Sequence, residues 1–319
     1  MTLTLPSPDS PLKIGTRGSP LALAQAYETR QRLGTAFDLP EEAFEIVVIK
    51  TTGDRIQDRA LAEIGGKGLF TKEIEEALVE GRIDAAVHSM KDVPTWLPDG
   101  LVVDHVLARE DPRDAFFSPH GKSIAELPDG ALVGTSSLRR QAQVLCARPD
   151  LRVAPLRGNV ATRLRKLAEG EVDATLLAVA GLRRLGEADK ITAALSVEEM
   201  LPAVAQGAIG LEIRGDDDGS RALLDAICCA DSGLRVTAER ALLATLEGSC
   251  RTPIAGLAEL SADRETLRLR ALVAMPDGSI VHRAERTGPA SDPETLGRSL
   301  GEDLKAAGGE AFFDAITGH

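Results

Sequence analysis

Ile83-Asp84-Ala85-Ala86-Val87-His88-Ser89-Met90-Lys91-Asp92-Val93-Pro94 is the stretch from which the architecture is read. Ile83 to Val87 is a short apolar run that reads as a buried strand, and Pro94 cannot continue regular hydrogen bonding. Open α/β sheets place ligands at the ends of their strands. His88, Ser89, Lys91 and Asp92 therefore stand at the mouth of a sheet rather than in its core. A lone Lys-Asp pair is usually a solvated loop, but the other unusual features of this chain can all be read as serving a carboxylate here.

Working outward, Val79-Glu80-Gly81-Arg82-Ile83-Asp84-Ala85-Ala86 is echoed by Ala168-Glu169-Gly170-Glu171-Val172-Asp173-Ala174-Thr175. Each is a helix end, a glycine stop and a new strand. The turn Gly15-Thr16 followed by Ser19 is likewise echoed by Gly134-Thr135-Ser136-Ser137, and both echoes keep their order. Two similar α/β lobes facing a shared cleft are expected, with a small α+β domain after them. Residues 1–107 and 208–228 would form a discontinuous first domain, 108–207 a second and 229–319 a third. The strand at Ile209 to Ile213 would complete the first lobe.

Arginines recur at helix starts. Arg17 precedes Ser19 and Pro20, which read as an N-cap and a first helical residue. Arg139 and Arg140 follow Ser137, and Arg157 and Arg163 bracket Asn159, a further N-cap. A cation there opposes the helix dipole by about 0.3 to 1 kcal/mol. Unpaired amides at these positions favour an anion, and a bound polycarboxylate or phosphate would relieve the strain. Any single one of these arginines could equally serve a surface ion pair, and Arg183 with Arg184 is a weaker fourth instance.

The 319 residues carry a net charge of −12, which repels nucleic acid and anionic membranes. Only nine of the 37 basic residues are lysines. Clustered arginine within an acidic protein suggests a small anionic ligand, because the guanidinium fork matches carboxylate and phosphate. No run reaches the roughly 20 apolar residues of a membrane span, and the first twelve residues lack a secretory h-region. Cys146, Cys228, Cys229 and Cys250 have neither metal nor disulfide-framework spacing, so no metal site and a reducing, cytoplasmic setting are expected. Asp216-Asp217-Asp218-Gly219 reads as a turn and not a calcium loop.

Leu61-Ala62-Glu63-Ile64-Gly65-Gly66-Lys67-Gly68-Leu69-Phe70 reads as a mobile loop or lid, or equally as an ordinary flexible turn before a helix, and it lacks the Walker A order. Gly248 reads as the stop of a helix from about Arg235. That leaves Cys250 in a turn between Ser249 and Arg251, where adjacent positive charge favours thiolate.

These blocks resemble the porphobilinogen deaminase (hydroxymethylbilane synthase) family. The resemblance is carried by His88-Ser89-Met90-Lys91-Asp92-Val93-Pro94, Gly134-Thr135-Ser136-Ser137-Leu138-Arg139-Arg140-Gln141, Leu156-Arg157-Gly158-Asn159, Leu201-Pro202-Ala203-Val204-Ala205-Gln206-Gly207 and Leu246-Glu247-Gly248-Ser249-Cys250. It runs from about Leu12 to Leu260, with the last sixty residues matching in general pattern.

The resemblance implies a three-domain enzyme whose first two lobes are similar to periplasmic binding proteins, acting as a cytoplasmic monomer. It would join four porphobilinogen molecules head to tail into hydroxymethylbilane, releasing four ammonia, for haem and related tetrapyrroles. Cys250 matches the cysteine that carries a covalent dipyrromethane through a thioether, and Asp92 matches the catalytic aspartate. Arg17, Ser19, Lys91, Thr135, Ser136, Ser137, Arg139, Arg140, Arg157, Gly158, Arg163, Arg184 and Gln206 match positions around the acetate and propionate groups of cofactor and chain. Lys67 and Phe70 match the loop, where Glu63 replaces a second lysine of well-known bacterial members. An exported solute-binding protein would share the cleft and arginines but needs no reactive cysteine. A nucleotide-dependent enzyme would use the glycine loop but has no phosphate fingerprint.

Overall fold

The computed structural model describes residues 3–55, 71–249 and 252–317. The chain divides into two compact units. One holds the described residues up to Glu110 together with Ala208–Gly233, and the other holds Asp111–Gly207 and the chain from Leu234 onward.

In the first unit the chain runs β1 (Leu12–Arg17), α1 (Pro20–Phe37), β2 (Phe44–Ile49), a helical turn α2 (Thr52–Arg55), α3 (Lys72–Val79), β3 (Ala85–Ser89) and β4 (Leu101–Val106). The second begins with β5 (Asp114–Phe117), β6 (Leu132–Gly134), α4 (Leu138–Ala147), β7 (Arg152–Ala154), α5 (Val160–Ala168), β8 (Ala174–Ala178), α6 (Val179–Arg184) and β9 (Ala193–Ala194). Then β10 (Ile209–Arg214) and α7 (Asp218–Asp225) return to the first unit. The remaining elements are α8 (Ala230–Thr245), β11 (Ile254–Leu260), β12 (Thr266–Ala274), β13 (Val281–Pro289), α9 (Pro293–Gly308) and α10 (Glu310–Thr317).

The two larger sheets repeat one plan. Their orders are β2-β1-β3-β10-β4 and β7-β6-β8-β5-β9. In each, three strands are parallel and the fourth enters antiparallel, β10 in one and β5 in the other. Both faces of the first sheet are covered. Ile14, Val87, Ile209 and Leu211 pack with Ala26 and Leu33 of α1, whereas Ile49 and Ala86 pack with Ile74 and Leu78 of α3. Burial on both sides leaves β3 and β10 buried over all but their last residues, His88 and Glu212 included.

The sequence echo is a structural one. At the end of α3, Gly81 (φ 68°) donates to Leu78 O at 3.1 Å and Arg82 N to Ala77 O at 2.9 Å. After α5, Gly170 (φ 76°) donates to Leu167 O at 3.0 Å and Glu171 N to Lys166 O at 3.0 Å. This left-handed ending satisfies the last carbonyls and favours glycine. Three residues on, Asp84 exchanges hydrogen bonds with Lys13: its N–H reaches Lys13 O at 2.8 Å and its carboxylate accepts from Lys13 N at 2.9 Å. Asp173 does the same with Leu132, at 2.8 and 2.7 Å. Each aspartate sets the register of a new strand against its parallel neighbour, β3 on β1 and β8 on β6.

Asp114 is the fully buried first residue of β5. Two local readings need correction. Asp217, expected in a turn, caps α7 by accepting from Ser220 N at 2.9 Å. Gly248 is not the left-handed stop of α8; Glu247 takes that conformation at φ 52°. Gly248 is held instead by space, since a Cβ there would stand 2.5 Å from side-chain atoms of both Leu243 and Ile254.

The last sheet is the antiparallel meander β11-β12-β13. Leu296, Leu300 and Leu304 of α9 pack with Leu267, Leu269 and Val273 of β12 and with Leu242 of α8. Among the described residues no helix is long and apolar enough to cross a membrane. Alanine normally stabilises a helix interior over glycine by about 0.5 to 1 kcal/mol. At Gly297 of α9 the sign reverses, because a Cβ would meet the Ala238 carbonyl of α8 at 2.1 Å. Gly297→Ala is expected to lower unfolding free energy in urea by about 1 to 3 kcal/mol; a raised midpoint would contradict this close backbone approach.

Candidate active site

In the first unit, the carboxyl ends of β1 and β3 build a cavity of about 70 Å³, lined by Arg17, Ser19, Gln25, His88, Ser89 and Asp92 among others. Arg17 is the last residue of β1, and Ser19 caps α1, its hydroxyl accepting from Ala22 N at 3.3 Å. Lys91 and Asp92 lie on a single 3-10 turn, Met90–Asp92, directly after β3. That turn is anchored by the buried Met90, whose N–H donates to Ala208 O at 3.0 Å, and by Val93 N donating to Met90 O at 3.2 Å. Asp92 is thus a half-buried carboxylate held on a short rigid turn rather than a loop residue.

The second unit gathers most of the arginines. Ser137 caps α4, accepting from Arg140 N at 3.4 Å, and Thr135 Oγ1 accepts from Ser137 N at 3.2 Å. Ser136 donates to Leu156 O at 3.2 Å. Asn159 caps α5, accepting from Thr162 N at 2.9 Å, and Gly158 (φ 115°) turns its carbonyl to Arg163 Nε at 2.9 Å. Arg184 donates to Gly207 O at 3.1 Å.

Arg139 and Arg140, both buried, grip one carboxylate. Asp114 pairs with Arg139 Nη2 at 2.8 Å and with Arg140 Nη2 at 2.7 Å, and Gln206 Nε2 donates to it at 2.9 Å. Arg139 also reaches Leu201 O at 2.7 Å and Arg140 reaches Leu176 O at 2.9 Å. Burial, the largest influence on Asp114, pushes its carboxyl up; the two guanidiniums and the hydrogen bonds from Arg140 and Gln206 together outweigh it and hold the group well below the usual range. Two cations against one anion leave an excess positive charge. Nearby, burial lowers the Arg163 guanidinium to about 10, with the charges of Arg140 and Arg157 adding to the effect. A site that disfavours its own cations fits a polyanionic ligand.

So the structure gathers Arg17, Ser19 and Asp92 in one cavity, with Lys91 beside Asp92 on the same turn, and Arg140, Arg157 and Arg163 in one cluster. Lys67, Phe70, Glu63 and Cys250 lie outside the described residues. Three participants were not singled out in the sequence: Gln25, Asp114 and Glu212. Gln25 is a buried polar residue in the apolar stripe of α1, hydrogen-bonded to Ser89 at 2.9 Å; its position beside Ala22, Ala26 and Thr29 was the available signal.

Fold and site together define a two-lobed α/β protein with a carboxylate-bearing cavity in one lobe and an arginine cluster in the other. The family model described as "Porphobilinogen deaminase, dipyromethane cofactor binding domain" matches residues 12–222, and "Porphobilinogen deaminase, C-terminal domain" matches residues 233–306. The chain belongs to the porphobilinogen deaminase family. A porphobilinogen deaminase of Paracoccus denitrificans is 60% identical over 97% of this chain and 98% of its own. A chloroplastic one of Oryza sativa subsp. japonica is 56% identical over 96% of this chain and 86% of its own. Among solved structures, a putative methionine-binding lipoprotein of Bacillus subtilis aligns at 14% identity and TM-score 0.41, covering 69% of this chain and 91% of its own. The periplasmic VFT2 domain of Bordetella pertussis BvgS aligns at 15% and 0.40, covering 68% and 86%.

Asp114→Asn would leave two buried guanidiniums without their counter-charge, a loss of about 3 to 5 kcal/mol. A carboxylate with a depressed folded pKa contributes its full stability above the unfolded value near 3.9 and loses it only as pH falls further. The deficit between wild type and variant in urea melts should therefore be constant from about pH 5 to pH 9. A deficit that grows or vanishes in that window would contradict the ion triad.

Proposed function

We propose that this protein condenses four porphobilinogen molecules head to tail into the linear tetrapyrrole hydroxymethylbilane, with release of four ammonia, on a dipyrromethane primer bound through Cys250. The observation that carries the reading is the fixed carboxylate of Asp92 in a cavity that also holds Arg17, within a chain rich in arginine at helix starts. Each pyrrole of this chemistry brings two carboxylates, which suits arginine forks.

The residues present fit the primer. The lowered Arg163 guanidinium and the uncompensated charge beside Asp114 both call for carboxylates. Arg17, Lys91, Ser137, Arg139, Arg140, Arg157, Arg163 and Arg184 would hold acetate and propionate groups, each charge-assisted contact contributing about 1.5 to 3 kcal/mol. Ser19, Thr135, Ser136, Gly158 and Gln206 shape the loops that present them. The primer, when bound, supplies the pyrrole carbon at which the chain begins.

Loss of ammonia from the aminomethyl group of porphobilinogen leaves a delocalised cation. Asp92, held on its short turn, faces that developing charge without reorganising, which is the condition for electrostatic stabilisation. It can also hold the pyrrole N–H. A division into residues 1–107 with 208–228, 108–207 and 229–319 is part of the same reading, as are a cytoplasmic monomer and the lack of nucleic-acid or membrane partners. Cys146, Cys228 and Cys229 are free thiols.

Asp92→Asn should retain the primer, visible as added mass on the intact protein, while product formation falls by about a thousandfold. Cys250→Ser should show the bare polypeptide mass. Near-normal turnover in the first variant would remove Asp92 from the mechanism; an adduct persisting in the second would move the attachment point.

A further inference from the structure

Successive side chains of β3 point to opposite faces of its sheet. Val87 packs in the cluster that includes α1, and Ser89 accordingly meets Gln25. Ala86 packs in the cluster that includes α3, and His88 shares that face. Beside β3, β10 places Gly210 opposite His88 and Glu212 opposite Ala86. Glu212 reaches across, its Oε2 lying 2.9 Å from His88 Nε2, with the two side chains 0% and 4% exposed. Against an ionised carboxylate, Nε2 must be the protonated nitrogen, so Nδ1 carries the lone pair. Among the described residues the His88 ring has no second hydrogen-bond partner, and His88 is one of the residues lining the cavity that holds Asp92 and Arg17.

We propose that His88, oriented by Glu212, is a second proton-accepting group of this cavity, working beside Asp92; the inference rests on the reaction proposed above. Coupling breaks the C–N bond of one aminomethylpyrrole, whose amine enters already protonated as –CH2–NH3+, so that the electron pair leaves on nitrogen as neutral ammonia. The ring electrons of the acceptor pyrrole then form the new C–C bond. The C–H bond at that carbon breaks last, its electron pair restores the aromatic ring, and its proton passes to His88 Nδ1. From there it passes to the ammonia, which departs as ammonium. Were Asp92 to take this proton, it would lose the charge that steadies the cation. Glu212 balances the imidazolium that forms, acting as a positioning residue through His88.

Glu212 from β10 meets His88 and Glu75 from α3 stands near both, while the charged Arg17 and Asp92 and the neutral Ser19, the cap of α1, and Gln25 line the cavity with it. Glu75 Oε1 and Glu212 Oε1 both lack hydrogen-bond partners among the described residues. Burial, reinforced by the Glu212 charge, raises the Glu75 pKa against the opposing effects of Thr71 and His88. Glu75 is thus held toward its protonated form, and Glu212 is the acidic side chain whose oxygen meets the ring.

The test combines Glu212→Gln kinetics with nitrogen-15 NMR of histidine-labelled, primer-bearing wild type, the His88 signal being assigned by its loss in His88→Gln. Expected are an Nε2-protonated neutral ring at about pH 8, and in Glu212→Gln an unchanged adduct mass, a kcat lowered about tenfold with KM within about twofold, and an acid limb of the kcat profile moved to lower pH. An Nδ1-protonated ring overturns the proposal, whether or not Glu212→Gln folds. So does a folded Glu212→Gln with wild-type kcat, or one whose kcat falls with the pH profile unmoved. If wild type made no product from porphobilinogen, the reaction assigned above would fail by itself, whatever the ring tautomer.

Discussion

The second lobe depends on a carboxylate buried between two guanidiniums. Asp114 opens the strand that runs antiparallel through its sheet, and Arg139 and Arg140 open a helix beside it. Burying any one of these charges alone is costly, and together they still leave a positive remainder. The same contact therefore fixes the packing of α4 on the sheet and charges the region around Arg157 and Arg163. Gln206 joins through its side-chain amide and ties the chain leaving this lobe to the same carboxylate.

The two lobes solve one folding problem twice and then diverge in chemistry. Asp84 and Asp173 clamp equivalent strands by equivalent exchanges, after equivalent left-handed glycines. At the ends of those strands the sequences part. β3 is followed by the turn bearing Lys91 and Asp92, whereas β8 runs directly into α6, whose last residues are Arg183 and Arg184. Scaffold positions thus repeat while positions at strand ends differ, as expected where rigid elements present variable connections.

Much of this was legible in the sequence. The paired glycine stops, the cap residues Ser19, Ser137 and Asn159, and the strand ending before Asp92 are local signals, and local physics decides them. Asp114 and Glu212 were not legible, because their significance comes from partners 26 and 124 residues away. In sequence, Asp114 closes a charged connection and Glu212 interrupts an apolar strand. Only the packing of α4 beside β5 and the register of β10 on β3 reveal that each faces a buried cation or imidazole. Glu247 shows the reverse limit: glycine was the expected left-handed residue, but the adjacent side chains claimed Gly248 for its lack of volume.

In the first sheet β3 and β4 never touch; β10 separates them, although about a hundred residues of the other unit lie between β4 and β10 in the chain. During synthesis, at about 5 to 20 residues per second, the early strands emerge seconds before the one that joins them. Through that interval the nascent lobe presents two unpaired backbone edges, which invite pairing with other chains. An interleaved chain order thus leaves the amino-terminal sheet incomplete until Ile209–Arg214 has been synthesised.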